Sequence, residues 1–302
     1  MRVAVTGAFG FSGRYIAKRL LTLRHEVMTL TDSPNRPNPF DGSIKVFPYN
    51  FSKPHELRKS LLDIDVLVNT YWVRFDNPPY FTFAQAIANS KVLLDAAKGA
   101  GVRRVVHISI TNPDPHSPLP YFRGKAEIED YLKKIGISYA ILRPAVLFGT
   151  EDILINNIAW ALRRLPMFGV YGAGRYRLQP IHVDDLAMAA VDQIRGGTNE
   201  TIDAIGPETY PYRGMVEMTA REIGSRALIM SMPPMLAYQA VRVLGWTVGD
   251  VINTRDEVRG LMQEKLYVQS PPLGTTKLSD WVRVSRQDIG RRYASELQRR
   301  LD

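Results

Sequence analysis

The stretch that most limits what this chain can fold into is Thr6-Gly7-Ala8-Phe9-Gly10-Phe11-Ser12-Gly13. It follows a short apolar and β-branched run, residues 2–6, and precedes a segment in which Tyr15, Ile16, Leu20 and Leu23 recur at helical spacing. Strand, glycine turn and helix thus follow one another with no spacer. Glycines at 7, 10 and 13 give the spacing GxxGxxG, not the GxGxxG of the dinucleotide fingerprint. A diphosphate is held by backbone N–H groups at a helix N-terminus, and glycines let the chain come close enough to offer them. The competing reading of the same residues is a tight turn with no ligand.

A second strand, 26–31, ends at Asp32, close to where a carboxylate hydrogen-bonds the adenosine ribose of NAD. Its charge favours NAD over NADP, whereas Arg14 and Arg36 could embrace a 2′-phosphate; Asp32-Ser33-Pro34 is equally ordinary turn chemistry. Further strands are expected at 44–47, 64–68, 102–108 and 138–142. They alternate with helices from near Ser52 and over 82–100 and 121–135. Six β-α units in succession predict an α/β fold, a Rossmann-type doubly wound parallel sheet. Past Pro144 the alternation loosens into a helix at 153–165, a glycine-rich loop at 171–177 and a strand at 179–182. Asp184 or Asp185 is expected to cap a helix reaching Ile194, and 201–205 reads as a last strand. The expected domains are an NAD(P)-binding domain over 1–205, with 146–177 contributing to the substrate cleft, and a smaller, mostly helical substrate lobe over 206–302.

Ser109 ends the fifth strand, and Tyr121 and Lys125 stand four residues apart on the helix that follows, so phenol and ammonium share a face. A nearby cation favours the phenolate, and a tyrosine so tuned can give or take a proton. Ser109 could hydrogen-bond the same substrate oxygen and hold its carbon at hydride distance from a nicotinamide. The bare YxxxK pattern has no force alone, since Tyr49 and Lys53 share it. Only the 121/125 pair lies on a helix directly after a strand ending in serine.

Composition removes several alternatives. With no cysteine in 302 residues, disulfides, thiolate metal sites and cysteine nucleophiles are excluded, and no metal site is expected. The net charge of +9 comes from scattered residues and short pairs such as Arg163-Arg164, without a long basic run, so no nucleic-acid partner is expected. The first strand leaves no room for a signal peptide, and the most apolar later stretch, 233–251, carries Arg242 and Asp250, so no transmembrane segment is expected. These features point to a soluble, cytoplasmic protein.

Five segments in order, TGAFGFSG, the HIS strand end at 107–109, YFRGK at 121–125, LRPAVLFG at 142–149 and QPIHVDDLA at 179–187, resemble the short-chain dehydrogenase/reductase superfamily. The resemblance is to its extended and atypical branches, the NAD-dependent epimerase/dehydratase-like proteins. IGPETYPYRGM and TRDEVRGLM look most like the branch that contains the nucleotide-binding accessory subunit of respiratory complex I. The resemblance implies that Gly7, Gly10, Phe11 and Gly13 hold the pyrophosphate, Asp32 the adenosine ribose, and Asn50 and Phe51 the adenine. It makes Tyr121 the catalytic acid/base, Lys125 the ligand of the nicotinamide ribose and Ser109 the group that orients the substrate, and gives Asn89 a packing role. Where the family has small residues after the fourth strand, this chain has Thr70, Tyr71 and Trp72; Thr111 or Ser117 could serve if Ser109 points elsewhere.

Two functions follow as expectations. One is an NAD(P)-dependent oxidoreductase or epimerase/dehydratase acting on a secondary alcohol or carbonyl. Its small-molecule substrate could be an anionic nucleotide sugar met by Arg143, Arg175 and Arg177. The other is a non-catalytic NAD(P)-binding subunit or redox sensor. The family often dimerises through helices flanking the sheet.

Overall fold

The computed structural model describes residues 1–33 and 38–301; Arg36, a candidate for a 2′-phosphate, lies outside them. β1 (Arg2–Thr6) leads through the glycine turn into α1 (Phe11–Thr22), and β2 (Glu26–Thr31) and β3 (Lys45–Pro48) follow before α2 (Pro54–Ser60). Then come β4 (Val66–Asn69), α3 (Phe83–Gly99), β5 (Arg104–Ile108), α4 (Pro120–Lys134) and β6 (Ser138–Pro144). After Pro144 the chain forms β7 (Val146–Phe148), α5 (Leu154–Arg164), β8 (Met167–Tyr171), β9 (Arg177–Leu178), β10 (Pro180–His182), α6 (Val183–Gln193) and β11 (Glu200–Ala204). The remainder is β12 (Tyr210–Pro211), α7 (Tyr212–Glu222), β13 (Leu228–Met232), α8 (Pro234–Val248), α9 (Arg255–Met262), α10 (Leu278–Val284) and α11 (Glu296–Leu301).

Among the described residues the main sheet has seven strands in the order β11-β6-β5-β4-β1-β2-β3. β1 pairs in parallel with β2 on one side and β4 on the other, so the winding direction reverses beside β1. In doubly wound sheets that reversal opens a crevice at the carboxyl ends of the strands, and the glycine turn leaves β1 there. Val3, Ala4, Val5, Leu67, Val105 and Val106 are fully buried, as strands covered on both faces require. Thr82 caps α3 by accepting the N–H of Gln85.

The chain divides into two compact units, 1–144 with 183–203, and 145–182 with 204–302. Residues 145–182, placed by sequence mainly in the nucleotide domain, belong to the second unit. Their short strands find partners there, β7 with β10, β8 with β13 and β9 with β12. The second unit has its own core, with Phe148, Ile155, Tyr171, Leu178, Met215 and Leu278 fully buried in it. Within the first unit α6 packs on α1. Asp184 and Asp185 lie inside the first turn of α6, not at a cap, and Asp184 grips Arg19 of α1 through both carboxylate oxygens at 2.7 Å.

Candidate functional site

Gly7 sits in the left-handed region with φ +63°, which favours glycine. Its carbonyl accepts the N–H of Gly10 at 2.8 Å, folding the turn back over β1. A Cβ on Gly13 would stand 2.2 Å from the Gly7 carbonyl oxygen, so glycine is what allows α1 to approach the turn this closely. Gly10 precedes α1 with no side chain to cap it, and the first turn of the helix holds no acid. No acidic side chain offsets the positive end of the helix, an arrangement that suits an anion. Arg14 reaches back to the Phe9 carbonyl at 3.2 Å.

The ends of three further strands, β2, β3 and β4, lie around the turn. Asp32, just past β2, is solvent-exposed, and partial desolvation of its carboxyl raises its pKa above the ordinary value. Asn50 is left-handed at φ +49°, a conformation asparagine tolerates. Beside it Tyr49 and Phe51 stack with centroids 4.7 Å apart, and Tyr71 closes on both at 5.0 and 5.1 Å. Asn89 pins Tyr71 by donating to its hydroxyl at 2.9 Å, a more specific part than packing. Thr70 Oγ1 and Tyr49 Oη lie 3.6 and 4.0 Å from where a Gly7 Cβ would be, so this aromatic floor abuts the glycine turn.

Beneath them a polar ladder crosses β1, β4 and β5. Thr6 Oγ1 accepts from Thr70 N at 2.7 Å, Asn69 Oδ1 accepts from Tyr71 N at 3.0 Å, and Asn69 Nδ2 meets His107 Nδ1 at 3.2 Å. With the amide oxygen so used, the nitrogen donates to Nδ1, which assigns the ring proton to Nε2. Burial, and then the charge of Lys125, hold His107 well below its ordinary pKa, so the ring is neutral.

Tyr121 and Lys125 do occupy successive turns of α4. Lys125 is 3% exposed; its Nζ donates to the Ile108 carbonyl at 2.9 Å and lies 4.6 Å from the centre of the Trp72 ring. Trp72 lies across α4 because residue 124 is glycine, where a Cβ would come within 3.0 Å of the indole. The half-buried Tyr121 ring meets Trp72 and Phe83 edge-on at 6.1 and 6.0 Å. Ser109 Oγ donates to Glu129 Oε1 at 2.6 Å. Glu129, 1% exposed, is held by Arg143 through Nε at 3.0 Å and Nη2 at 2.5 Å, with Lys133 at 3.4 Å. A serine hydroxyl has one proton, so while it is given to Glu129 it cannot go to a substrate oxygen. Of the two substitutes, Thr111 is fully buried, and the 1% exposed Ser117 accepts the N–H of Leu119 at 3.2 Å.

Sequence reasoning missed Glu129, although its signal was present: 121, 125 and 129 repeat every four residues on one helix face. It also offered Arg143, Arg175 and Arg177 to an anionic substrate. The structure pairs Arg143 with Glu129, and Arg177 with Glu264 at 2.6 Å over the ring of Tyr267. Arg175 is exposed. His182 ends β10, in ring contact with Phe148 at 5.2 Å. Among the described residues no cluster of side chains could hold a metal ion.

Burial lowers the Lys125 ammonium to about 7 against the attraction of Glu129. Between about pH 7 and the unfolded value near 10.5 the unfolded chain therefore binds one more proton at this site than the folded one, and stability rises with pH through that window. From pH 6.5 to 8.5 the gain from this group is about 2 kcal/mol in the nucleotide-free protein. Denaturant titrations should show it in the wild type and not in Lys125→Met.

Comparison with known proteins adds the family. The model of the NAD dependent epimerase/dehydratase family matches residues 3–202, and the chain belongs to that family. It is 28% identical over 264 residues to the mitochondrial NADH-ubiquinone oxidoreductase 40 kDa subunit of Neurospora crassa, covering 84% of this chain and 68% of that protein. It is 25% identical over 224 residues to the mitochondrial NADH dehydrogenase [ubiquinone] 1 alpha subcomplex subunit 9 of Arabidopsis thaliana, covering 71% of this chain and only 56% of that longer protein. In fold it resembles the Citrobacter sp. triphenylmethane reductase complexed with NADP(H), with TM-score 0.75 at 16% identity over 94% of this chain and 99% of the other. Among the described residues no helix is long and apolar enough to cross a membrane.

Proposed function

We propose that this chain holds a nicotinamide dinucleotide as a fixed cofactor and does not turn it over, the bound nucleotide stabilising a surface that a protein partner reads. The backbone at Gly7, Gly10, Phe11 and Gly13 would take the pyrophosphate, Asp32 the adenosine ribose, and Asn50 with Phe51 the adenine. Three features support the fit: the crowding any Cβ on Gly13 would meet, the uncapped helix end and the exposed carboxylate at the end of β2. Asp32 favours NAD over NADP by charge.

The observation that carries the non-catalytic reading is the closed chain Ser109–Glu129–Arg143, together with Lys125 beneath Trp72. Both groups that would serve Tyr121 are spent inside the protein. The similarity to proteins named as subunits of NADH-ubiquinone oxidoreductase supports a protein partner. Since relatives are named mitochondrial, a cytoplasmic setting stays an expectation from sequence alone.

The enzyme reading retains one observation, Tyr121 one turn from a lysine poised near 7. A bound nicotinamide would supply hydride transfer; Tyr121 would move the proton, Lys125 would hold the nicotinamide ribose, and the second unit would form the substrate lobe. That requires Trp72 to leave Lys125 and Ser109 to leave Glu129.

The test is oxidation of NADH and NADPH by the purified protein with carbonyl compounds, quinones and nucleotide sugars, wild type beside Tyr121→Phe. Equal binding and no turnover above background in either protein is expected. A rate that Tyr121→Phe abolishes establishes the enzyme instead. Asp32→Ala is expected to weaken NADH about tenfold or more and NADPH much less, read by fluorescence titration.

A further inference from the structure

α8 departs from the rule that a surface helix turns polar residues outward. Its inward stripe, Ala237, Tyr238, Val241, Leu244, Gly245 and Val248, follows helical spacing and is buried or half-buried. The opposite face, apart from Gln239, Arg242 and Thr247, is also apolar: Met235 and Leu236 are each 57% exposed, Val243 54% and Trp246 73%. The strand that feeds the helix through Pro233-Pro234 behaves alike, with Leu228 60% and Met230 41% exposed at alternate positions of β13. Large apolar surface left in water at this density marks something it is meant to meet.

Charge decides what that is. From residue 223 to 249 the only charged side chains are Arg226 and Arg242, with no acid. Arg242 lies one turn before Trp246, its guanidinium 5.7 Å from the indole, and the exposed Arg255 lies 5.5 Å from the ring of Tyr238. An apolar face edged by a tryptophan and arginines matches the boundary between acyl chains and anionic headgroups, where aromatic bodies bury and guanidinium heads reach phosphate. Fifteen residues make about 22 Å of helix, short of the roughly 30 Å hydrocarbon core, so α8 would lie along the surface. The chain's net charge of +9 adds long-range attraction.

We propose that α8 docks the protein on an anionic lipid bilayer, the apolar face of Met235, Leu236, Val243 and Trp246 entering the interface and Arg242 contacting lipid phosphate. This stands independently of the nucleotide site. The full chain is floated with vesicles of phosphatidylcholine alone and of phosphatidylcholine with phosphatidylglycerol. Binding to the anionic vesicles, with tryptophan emission quenched by lipids brominated near the headgroup end of the chain, is expected. Val243→Glu with Trp246→Glu should cut it about tenfold or more, and Arg242→Gln about fivefold, with circular dichroism and Tm unchanged. No binding to anionic vesicles, binding the double variant retains, or a wild-type dimer that the double variant breaks while vesicles are ignored overturns the proposal. The last outcome would assign the face to a second copy of the chain. The quenching experiment uses the wild type alone and decides the matter even if the double variant fails to fold.

Discussion

Gly13→Ala is expected to destabilise the protein by about 3 kcal/mol or more and to abolish nucleotide binding. The new methyl would stand 2.2 Å from the Gly7 carbonyl oxygen and 2.8 Å from its carbon. Neither can yield cheaply. The obstacle is backbone, fixed by the Gly10 N–H on one side and by the Gly7 N–H bonded to Leu30 on the other. Relief means lifting α1 off the turn, which withdraws the helix N-terminus from a pyrophosphate. Gly197→Ala is the control: no atom lies within 4 Å of its Cβ and its φ is not positive, so it should change stability by less than about 0.5 kcal/mol. Urea unfolding reads both variants, and a nucleotide titration reads the site.

Glu129→Ala is expected to cost about 3–5 kcal/mol, the penalty of leaving a desolvated cation without its partner. Arg143 makes two hydrogen bonds to this carboxylate, Ser109 a third, and Lys133 adds a longer ion pair. Burial opposes the Arg143 charge, and the bonds and attraction of Glu129 outweigh it, so the pair stands or falls together. Replacing both partners, Glu129→Leu with Arg143→Met, should therefore be far less damaging than the sum of the single changes, because neither member of the pair is left buried without the other. Chemical denaturation of the four proteins closes the cycle. Additive losses would mean that the two side chains act separately and that Ser109 is not held by a network.

The periodic parts of this fold were legible because both covalent patterns and burial act locally. Strands such as β2 and β5 announce themselves by β-branched residues, and α3 by its length and the Thr82 cap. Past Pro144 the strands expected at 179–182 and 201–205 were legible and form β10 and β11, but the other short strands were not. β9 and β12 are two residues each and exist only because a distant partner accepts them, which periodicity cannot register. In the site, residue types were readable and partners were not. Ser109, Tyr121 and Lys125 stand where the spacing put them, but the proton of Ser109 is claimed by Glu129, whose own partner arrives from β6. Trp72 was noticed as out of place, yet only the open position at Gly124 explains how it reaches Lys125. Asp184 looked like a helix cap because aspartate at a helix start usually is one. The arginine it holds lies 165 residues away in the sequence.

The most direct test of the central claim, a nucleotide retained and not consumed, is a calorimetric titration of the wild type with NADH and with NADPH, each bound nucleotide then recovered and analysed. Saturable binding of one nucleotide per chain is expected, tighter for NADH, with the nicotinamide recovered in the redox state in which it was supplied. No heat with either nucleotide up to millimolar concentration would reduce the glycine turn to a turn and remove the claim.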